Sequence, residues 1–378
     1  MNDKESHFIP GVGWRYDTEH SMLRRLGGHD YKGRSVYMIT ITLADRRKPL
    51  LGTLIKDGAG EATVALSPLG ERVKDCWERI SIIYPGVRSL ALQIMPEHLH
   101  GVLFVTEELH AHLGQIIKGF KIGCSRAWWE LQPELLGPAA IVPRPSSCAP
   151  NYNSANGTVN GTAPVSAPGL ARSKGAKGPS LFSSGYQDSV LTGRGQLETM
   201  ISYVSDNPRR AMVKRENPNL FRVVRDLVVG SSRYSAIGNQ WLLNMPMRLQ
   251  VRCHNNTSPE NLRLIARQKA FFLARGREGA VVVSPCISPG EREIARAALD
   301  AHQPLVVILE NGFPALYKPP GRYFEACADG SLLMLAPWPY HTERRTITRQ
   351  QCIALNEMAA AISTDPWTPE DEWRISRL

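Results

Sequence analysis

Hydrophobic positions alternate with polar ones over residues 36–43 (Val-Tyr-Met-Ile-Thr-Ile-Thr-Leu), a period-two run rich in β-branched and aromatic side chains that predicts a strand. Residues 62–66, 88–95 and 99–105 read as three more, and Met95-Pro96-Glu97 as the short turn joining the last two into a hairpin. Between them the period becomes helical. Ser67 reads as an N-cap with Glu71 in the first turn, and Val73, Trp77 and Ile80 recur at helical spacing through Ile83. A second helix is expected over 108–131, with Leu113, Ile116, Ile117 and Phe120 on its apolar face. The order β-β-α-β-β-α predicts an antiparallel sheet with helices on one face, the ferredoxin-like α+β plan.

Residues 137–180 break the pattern. Gly, Pro, Ser, Ala and Asn dominate there, so little apolar surface is available to offset ordering entropy, and a flexible insertion is expected. A further helix is expected from about 195 to 206, with Leu197, Met200, Ile201 and Val204 as its apolar stripe. Asn207-Pro208 either ends it or kinks it into a continuation. From about 236 to 365, all-apolar strand runs such as 280–284 and 305–309 alternate with helical stretches at 260–275 and 291–301. Continuous Val, Ile and Leu runs between helices predict a parallel sheet covered on both faces, a Rossmann-like α/β domain. Its glycines do not spell G-x-G-x-x-G, so dinucleotide binding is not inferred. The expected organisation is therefore an N-terminal arm 1–29, a first domain 30–235 containing the 137–180 insertion, a second domain 236–365 and a tail 366–378.

Composition narrows the class. With 378 residues, two domains are expected, and 43% hydrophobic against 21% charged residues describes a globular protein. No apolar run approaches the roughly 18 residues of a membrane span, and the polar opening Met1-Asn2-Asp3-Lys4-Glu5 lacks a signal-peptide pattern. The 7 cysteines show no Cys-x-x-Cys spacing, which fits a reducing cytoplasm rather than a disulfide or zinc framework. The net charge of +10 is compatible with a polyanionic partner, above all nucleic acid. Arg209, Arg210, Lys214, Arg215, Arg222 and Arg225 concentrate that charge in one short stretch.

The candidate chemistry starts at His98-Leu99-His100. Side chains two apart on a strand share a face, about 7 Å apart along the chain, so two imidazoles stand side by side as two ligands of a divalent cation would. A second pair, His110-Ala111-His112, falls in the helix expected from 108, where positions two apart point to different sides. Asn207 is placed to supply a carbonyl oxygen, and Tyr203, one helical turn earlier, to project into the same site. A free phenol, with a pKa of about 10, is a poor nucleophile; beside a cation polarising a phosphodiester it becomes a competent one. Tyr186 is a rival nucleophile and Gln187 a further polar ligand.

Taken together, Met95-Pro96 before His98-Leu99-His100, the opening strand 36–43, Lys118-Gly119-Phe120-Lys121, and Tyr203-Val204-Ser205-Asp206-Asn207-Pro208 resemble the motifs of the HUH single-tyrosine transposases, and among them the REP-associated tyrosine transposase branch. The resemblance covers about residues 30–225. It implies that His98, His100 and Asn207 bind Mg²⁺ or Mn²⁺, that Tyr203 is the nucleophile, and that the substrate is single-stranded or hairpin DNA. It also permits a homodimer. Ile287-Ser288-Pro289-Gly290-Glu291-Arg292-Glu293, Glu310-Asn311-Gly312-Phe313 and Tyr317-Lys318-Pro319-Pro320 are similar to the layout of DNA-processing protein A, a single-stranded DNA binder. The expected function is metal-dependent cleavage and transfer of a single DNA strand through a phosphotyrosine link. Lys118, Lys121, Arg209 and Arg210 are the expected phosphate contacts. The alternatives are a decayed transposase that only binds DNA hairpins, and a DNA hydrolase in which the histidine pair activates water.

Overall fold

A computed structural model describes residues 6–9, 13–16, 26–136, 178–253, 258–314, 317–343 and 345–371. Residues 137–177 of the expected insertion, most of the expected N-terminal arm and residues 372–378 of the tail lie outside the described residues. The chain is α+β and divides into two compact units, Met1–Ala211 and Met212–Leu378. That boundary falls well before the expected 235, because residues 224–238 form two strands of the second unit's sheet rather than closing the first domain.

In the first unit, β1 (Ser6–Ile9) pairs with β2 (Gly13–Tyr16). Then follow β3 (Ser35–Thr42), β4 (Gly52–Lys56), β5 (Ala62–Leu66), α1 (Pro68–Ile83), β6 (Val87–Met95), β7 (His98–Val105), α2 (Leu113–Leu131), β8 (Gln187–Leu191) and α3 (Gln196–Ser205), and α4 (Asn207–Glu216) runs across the boundary at Ala211. The main sheet has the order β6-β7-β3-β8, antiparallel throughout. The expected second strand, 62–66, stands outside it: β5 pairs with β4 as a separate hairpin. Its place at the edge is taken by β8, a short strand (Gln-Asp-Ser-Val-Leu) too polar to announce itself in the hydrophobic pattern.

Alternation on β3 and β7 divides the sheet into two chemically different faces. Tyr37, Ile39 and Ile41 of β3 and Leu99 and Leu103 of β7 are buried against Trp77 of α1 and Ile116, Ile117 and Phe120 of α2. Ser67 caps α1 as expected, accepting from the Gly70 amide at 3.0 Å. Gly101 lets Trp77 lie flat on β7, since a Cβ there would fall 2.2 Å from Trp77 Cζ2. The opposite face carries Thr40, Thr42, His98 and His100, and over β6 and β7 it is α3 that packs. Helices therefore cover both faces, not one as the pattern suggested, because the third amphipathic helix needs a surface on which to bury Val204.

α3 does not simply stop at Asn207-Pro208; it kinks there into α4. Pro208 has no amide hydrogen to give the carbonyl of Val204, four residues back. The Asn207 side chain makes good the loss, donating Nδ2 to the Val204 carbonyl at 3.2 Å and to that of Tyr203 at 2.8 Å.

The second unit contains β9 (Val224–Val229), β10 (Ser232–Gly238), β11 (Arg248–Gln250), α5 (Pro259–Arg277), β12 (Val281–Ser284), α6 (Pro289–Asp300), β13 (Leu305–Ile308), α7 (Gly321–Ala328), β14 (Leu332–Ala336) and α8 (Arg349–Ile362). Its sheet, β11-β12-β13-β14-β10-β9, is mixed rather than wholly parallel: β11 to β14 are parallel, and β10 and β9 continue antiparallel. At the turn from β12 to α6 the backbone amides of Ile287 and Ser288 donate to the buried Glu291 carboxylate, so the chain's own anion occupies the helix start. Burial pushes that carboxyl above its usual range. Among the described residues, no helix is long and apolar enough to cross a membrane.

Candidate functional site

The tight turn between β6 and β7 places the site. Met95 pairs with His98, leaving Pro96 and Glu97 as a two-residue loop, and His98 and His100 follow on the same face of β7, a central strand. Their ring centroids are 4.8 Å apart with the planes at 82°. Leu99 between them is fully buried on the other face. His100 is 8% exposed, and its Nδ1 lies 2.8 Å from Thr40 Oγ1, on the β3 residue directly opposite in register. His98 Nδ1 lies 3.1 Å from Glu97 Oε1. That hydrogen bond holds the Glu97 carboxyl below its usual range, against the opposing effect of burial.

α3 brings the tyrosine. The Tyr203 ring stands 6.0 Å from the His100 ring, centroid to centroid, and is 39% exposed on an otherwise amphipathic helix. The rival Tyr186 is only 9% exposed and belongs to the apolar core of the first unit. The guanidinium of Arg210 lies 5.9 Å from the Tyr203 ring centroid, the distance of a cation–π contact. Asn207 sits four residues beyond Tyr203, with its amide nitrogen committed to α3 carbonyls as described.

The four expected phosphate contacts fare differently. Arg210 is beside the tyrosine. Arg209 makes a two-pronged pair with Asp206, one turn earlier. Lys118 is exposed on α2, the helix that covers the Leu99 face and not the imidazole face. Lys121 turns inward, donating to the carbonyls of Ser183 and of Gly185, the latter at 2.9 Å. Burial lowers the pKa of its ammonium, and its role is to fasten the 183–185 segment to α2. Trp129 similarly donates to the Pro179 carbonyl at 2.9 Å, which gives its ring a packing role.

The second histidine pair is dispersed. Residues 108–112 precede α2 instead of opening it, contrary to the expected helix start, and His112 is the N-cap, its Nδ1 accepting from the Gly114 amide at 2.9 Å. Its ring is 5.3 Å from that of Tyr31, while His110 is exposed. Among the described residues, no three His, Cys, Asp or Glu side chains gather as a metal-binding group. A cation at His98 and His100 thus needs a ligand of another type. Sequence reasoning missed Glu97 and Thr40, the partners of the two Nδ1 atoms. Glu97 was in plain view beside His98, but Thr40 is legible only once the β3–β7 register is known.

No protein-family model matches the chain. An 85-residue stretch is 35% identical to an uncharacterized protein of Haemophilus influenzae, taking in 22% of this chain and 44% of that protein. The chain thus spans less than half the length of that relative. Among solved structures, it is similar to a REP-associated tyrosine transposase bound to a REP hairpin, with TM-score 0.30 and 11% identity over 50% of this chain and 73% of that one. It is also similar to DNA processing protein A of Helicobacter pylori, described with a single-stranded DNA binding mode, with TM-score 0.25 and 15% identity over 35% of this chain and 57% of that one.

Proposed function

We propose that this protein cleaves and transfers single DNA strands through a phosphotyrosine link, as an HUH single-tyrosine transposase of the REP-associated branch. The observation that carries the reading is the convergence of three side chains from two elements. His98 and His100 stand side by side on β7, and the His100 ring lies 6.0 Å from that of the exposed Tyr203 on α3. The topology of the first unit supports the reading: with the β4–β5 hairpin set aside, the run β3-α1-β6-β7-α2-β8 in an antiparallel sheet is compatible with a ferredoxin-like plan. The parallel run β11 to β14 supports a Rossmann-like second unit.

The donor set fits Mg²⁺ or Mn²⁺. Both Nδ1 atoms are engaged by Glu97 and Thr40, so each imidazole would offer Nε2, and Asn207 would offer Oδ1, the amide atom not spent on the helix. When bound, such a cation polarises a phosphodiester and makes its phosphorus more electrophilic. The chain's own residues do the rest. Tyr203 Oη attacks phosphorus, the bond from phosphorus to the 3′ oxygen breaks, and the strand is left with a 3′-hydroxyl while its 5′ phosphate is joined to the tyrosine. Arg210, beside the ring, offers positive charge to the phenolate and to the incoming phosphate. One phosphoester replaces another, so attack by a hydroxyl of the same or another strand completes transfer without an external energy source. Single-stranded or hairpin DNA is the partner that the motif resemblance implies, and the basic stretch at 209–225 would attract such a polyanion.

The test is a denaturing gel after incubation of the full chain with Mn²⁺ and single-stranded oligonucleotides that form hairpins. An adduct lost in Tyr203→Phe is expected. Cleavage without an adduct would replace transfer by hydrolysis, and binding alone would leave a DNA-hairpin binder.

A further inference from the structure

We propose that Glu97 is a positioning residue of this centre, holding the His98 imidazole in the tautomer and orientation that present Nε2 to a divalent cation. The inference rests on the metal-site reading above and deepens it. Glu97 and Thr40 back the two imidazoles unequally: His98 faces a carboxylate at 3.1 Å, and His100 a neutral hydroxyl at 2.8 Å. An ionised carboxylate can only accept, so His98 Nδ1 carries the hydrogen, and in a neutral imidazole Nε2 keeps the lone pair. A threonine hydroxyl both donates and accepts, so it fixes ring orientation without dictating the tautomer. Glu97 therefore pre-sets His98 Nε2 as a donor, as carboxylates behind metal-ligating histidines do.

The position of Glu97 is built into the fold. It is the second residue of the two-residue loop, with Pro96 restricting the backbone before it and the Met95–His98 pair closing the ladder. The Pro96 carbonyl accepts from the Leu51 amide at 3.1 Å, and the Glu97 carbonyl from the Leu43 amide at 3.0 Å. The turn is thus clamped from two neighbouring segments, and the Glu97 side chain, 31% exposed, leans on His98 rather than ranging through solvent. An ordinary hairpin-loop carboxylate has neither constraint.

Two readouts test the role without relying on turnover. In a Tyr203→Phe background, Mn²⁺ affinity is measured by electron paramagnetic resonance for Glu97, Glu97→Ala and Glu97→Gln. In parallel, long-range ¹H–¹⁵N spectra of histidine-labelled protein report the His98 tautomer in the absence of metal. The expected result is a His98 fixed as Nδ1–H in the parent and mixed in Glu97→Ala, with Mn²⁺ affinity weakened about 10- to 100-fold. Glu97→Gln, which keeps an acceptor oxygen and loses the charge, falls between. An unchanged tautomer and unchanged affinity in Glu97→Ala overturn the proposal. If that variant does not fold, Glu97→Gln decides: a several-fold loss supports the role and none overturns it. Tight Mn²⁺ binding without any DNA adduct in the Tyr203 protein would sink the strand-transfer reading and leave Glu97 in place. Absence of Mn²⁺ binding in the parent would overturn both.

Discussion

The chain carries two His-x-His stretches, and the fold treats them differently. His98-Leu99-His100 lies on a strand whose alternation sets two imidazoles 4.8 Å apart on one face and buries Leu99 on the other. His110-Ala111-His112 lies in the approach to α2, where no ladder imposes a period, so one histidine caps a helix and the other stays exposed. Spacing in sequence becomes chemistry only through the element that carries it. The strand also supplies partners from its neighbours, Thr40 across the ladder and Glu97 in the preceding turn, whereas the capping histidine spends Nδ1 on its own helix.

Substitutions can break or sharpen this contrast. The largest effect is expected from His98→Ala and His100→Ala, which on the proposed mechanism remove donors to a cation worth several kcal/mol in the transition state. Mn²⁺-dependent adduct formation on a DNA hairpin should fall about a thousandfold or more, while His110→Ala leaves it within about twofold, both read by gel. Equal losses at the two pairs would erase the distinction. Next comes Gly101→Ala, on the opposite side of the same strand. Its Cβ would meet the Trp77 ring at 2.2 Å, and overpacking of this kind destabilises by about 1–3 kcal/mol, seen as a lowered denaturant midpoint. His112→Ala removes the α2 cap and is expected to lower stability by about 1 kcal/mol without changing Mn²⁺ affinity. The smallest effect is expected from Thr40→Val, which keeps the shape behind His100 and deletes its hydroxyl. A few-fold loss of Mn²⁺ affinity at nearly unchanged stability is predicted, measured by titration and thermal melting.

Much of the first unit was legible because its signals are local. The strand at Val36, the Ser67 cap and the turn at Pro96 each follow from a few adjacent residues. What the sequence hid depends on distant pairing. β8 carries no strong period and is a strand only because β3 offers it an edge, and β4 is recognisable only through β5. The second unit misled in the same way: β9 and β10 look like the end of the first domain until β14 is seen to pair with β10. Within the site, the His98 and His100 pair was legible from strand spacing and Tyr203 from the motif resemblance, and the fold sets the Tyr203 ring 6.0 Å from that of His100. Lys121 could not be read, because an ammonium that looks free on a helix is committed to the 183–185 carbonyls. Asn207 is a mixed case, since the sequence pointed to it for a ligand oxygen while its amide nitrogen mends the break that Pro208 makes.

The convergence of imidazoles and phenol is tested most directly by paramagnetic broadening of ring-labelled tyrosines during a Mn²⁺ titration of the full chain. Tyr203 neighbours His100, and Tyr31 neighbours His112, so the two rings report on the two histidine pairs. Loss of the Tyr203 signal at the lowest Mn²⁺ concentrations, with Tyr31 still sharp, is the predicted result. A Tyr203 signal that survives saturation, or a Tyr31 signal that vanishes first, would contradict a metal-bearing centre at His98 and His100.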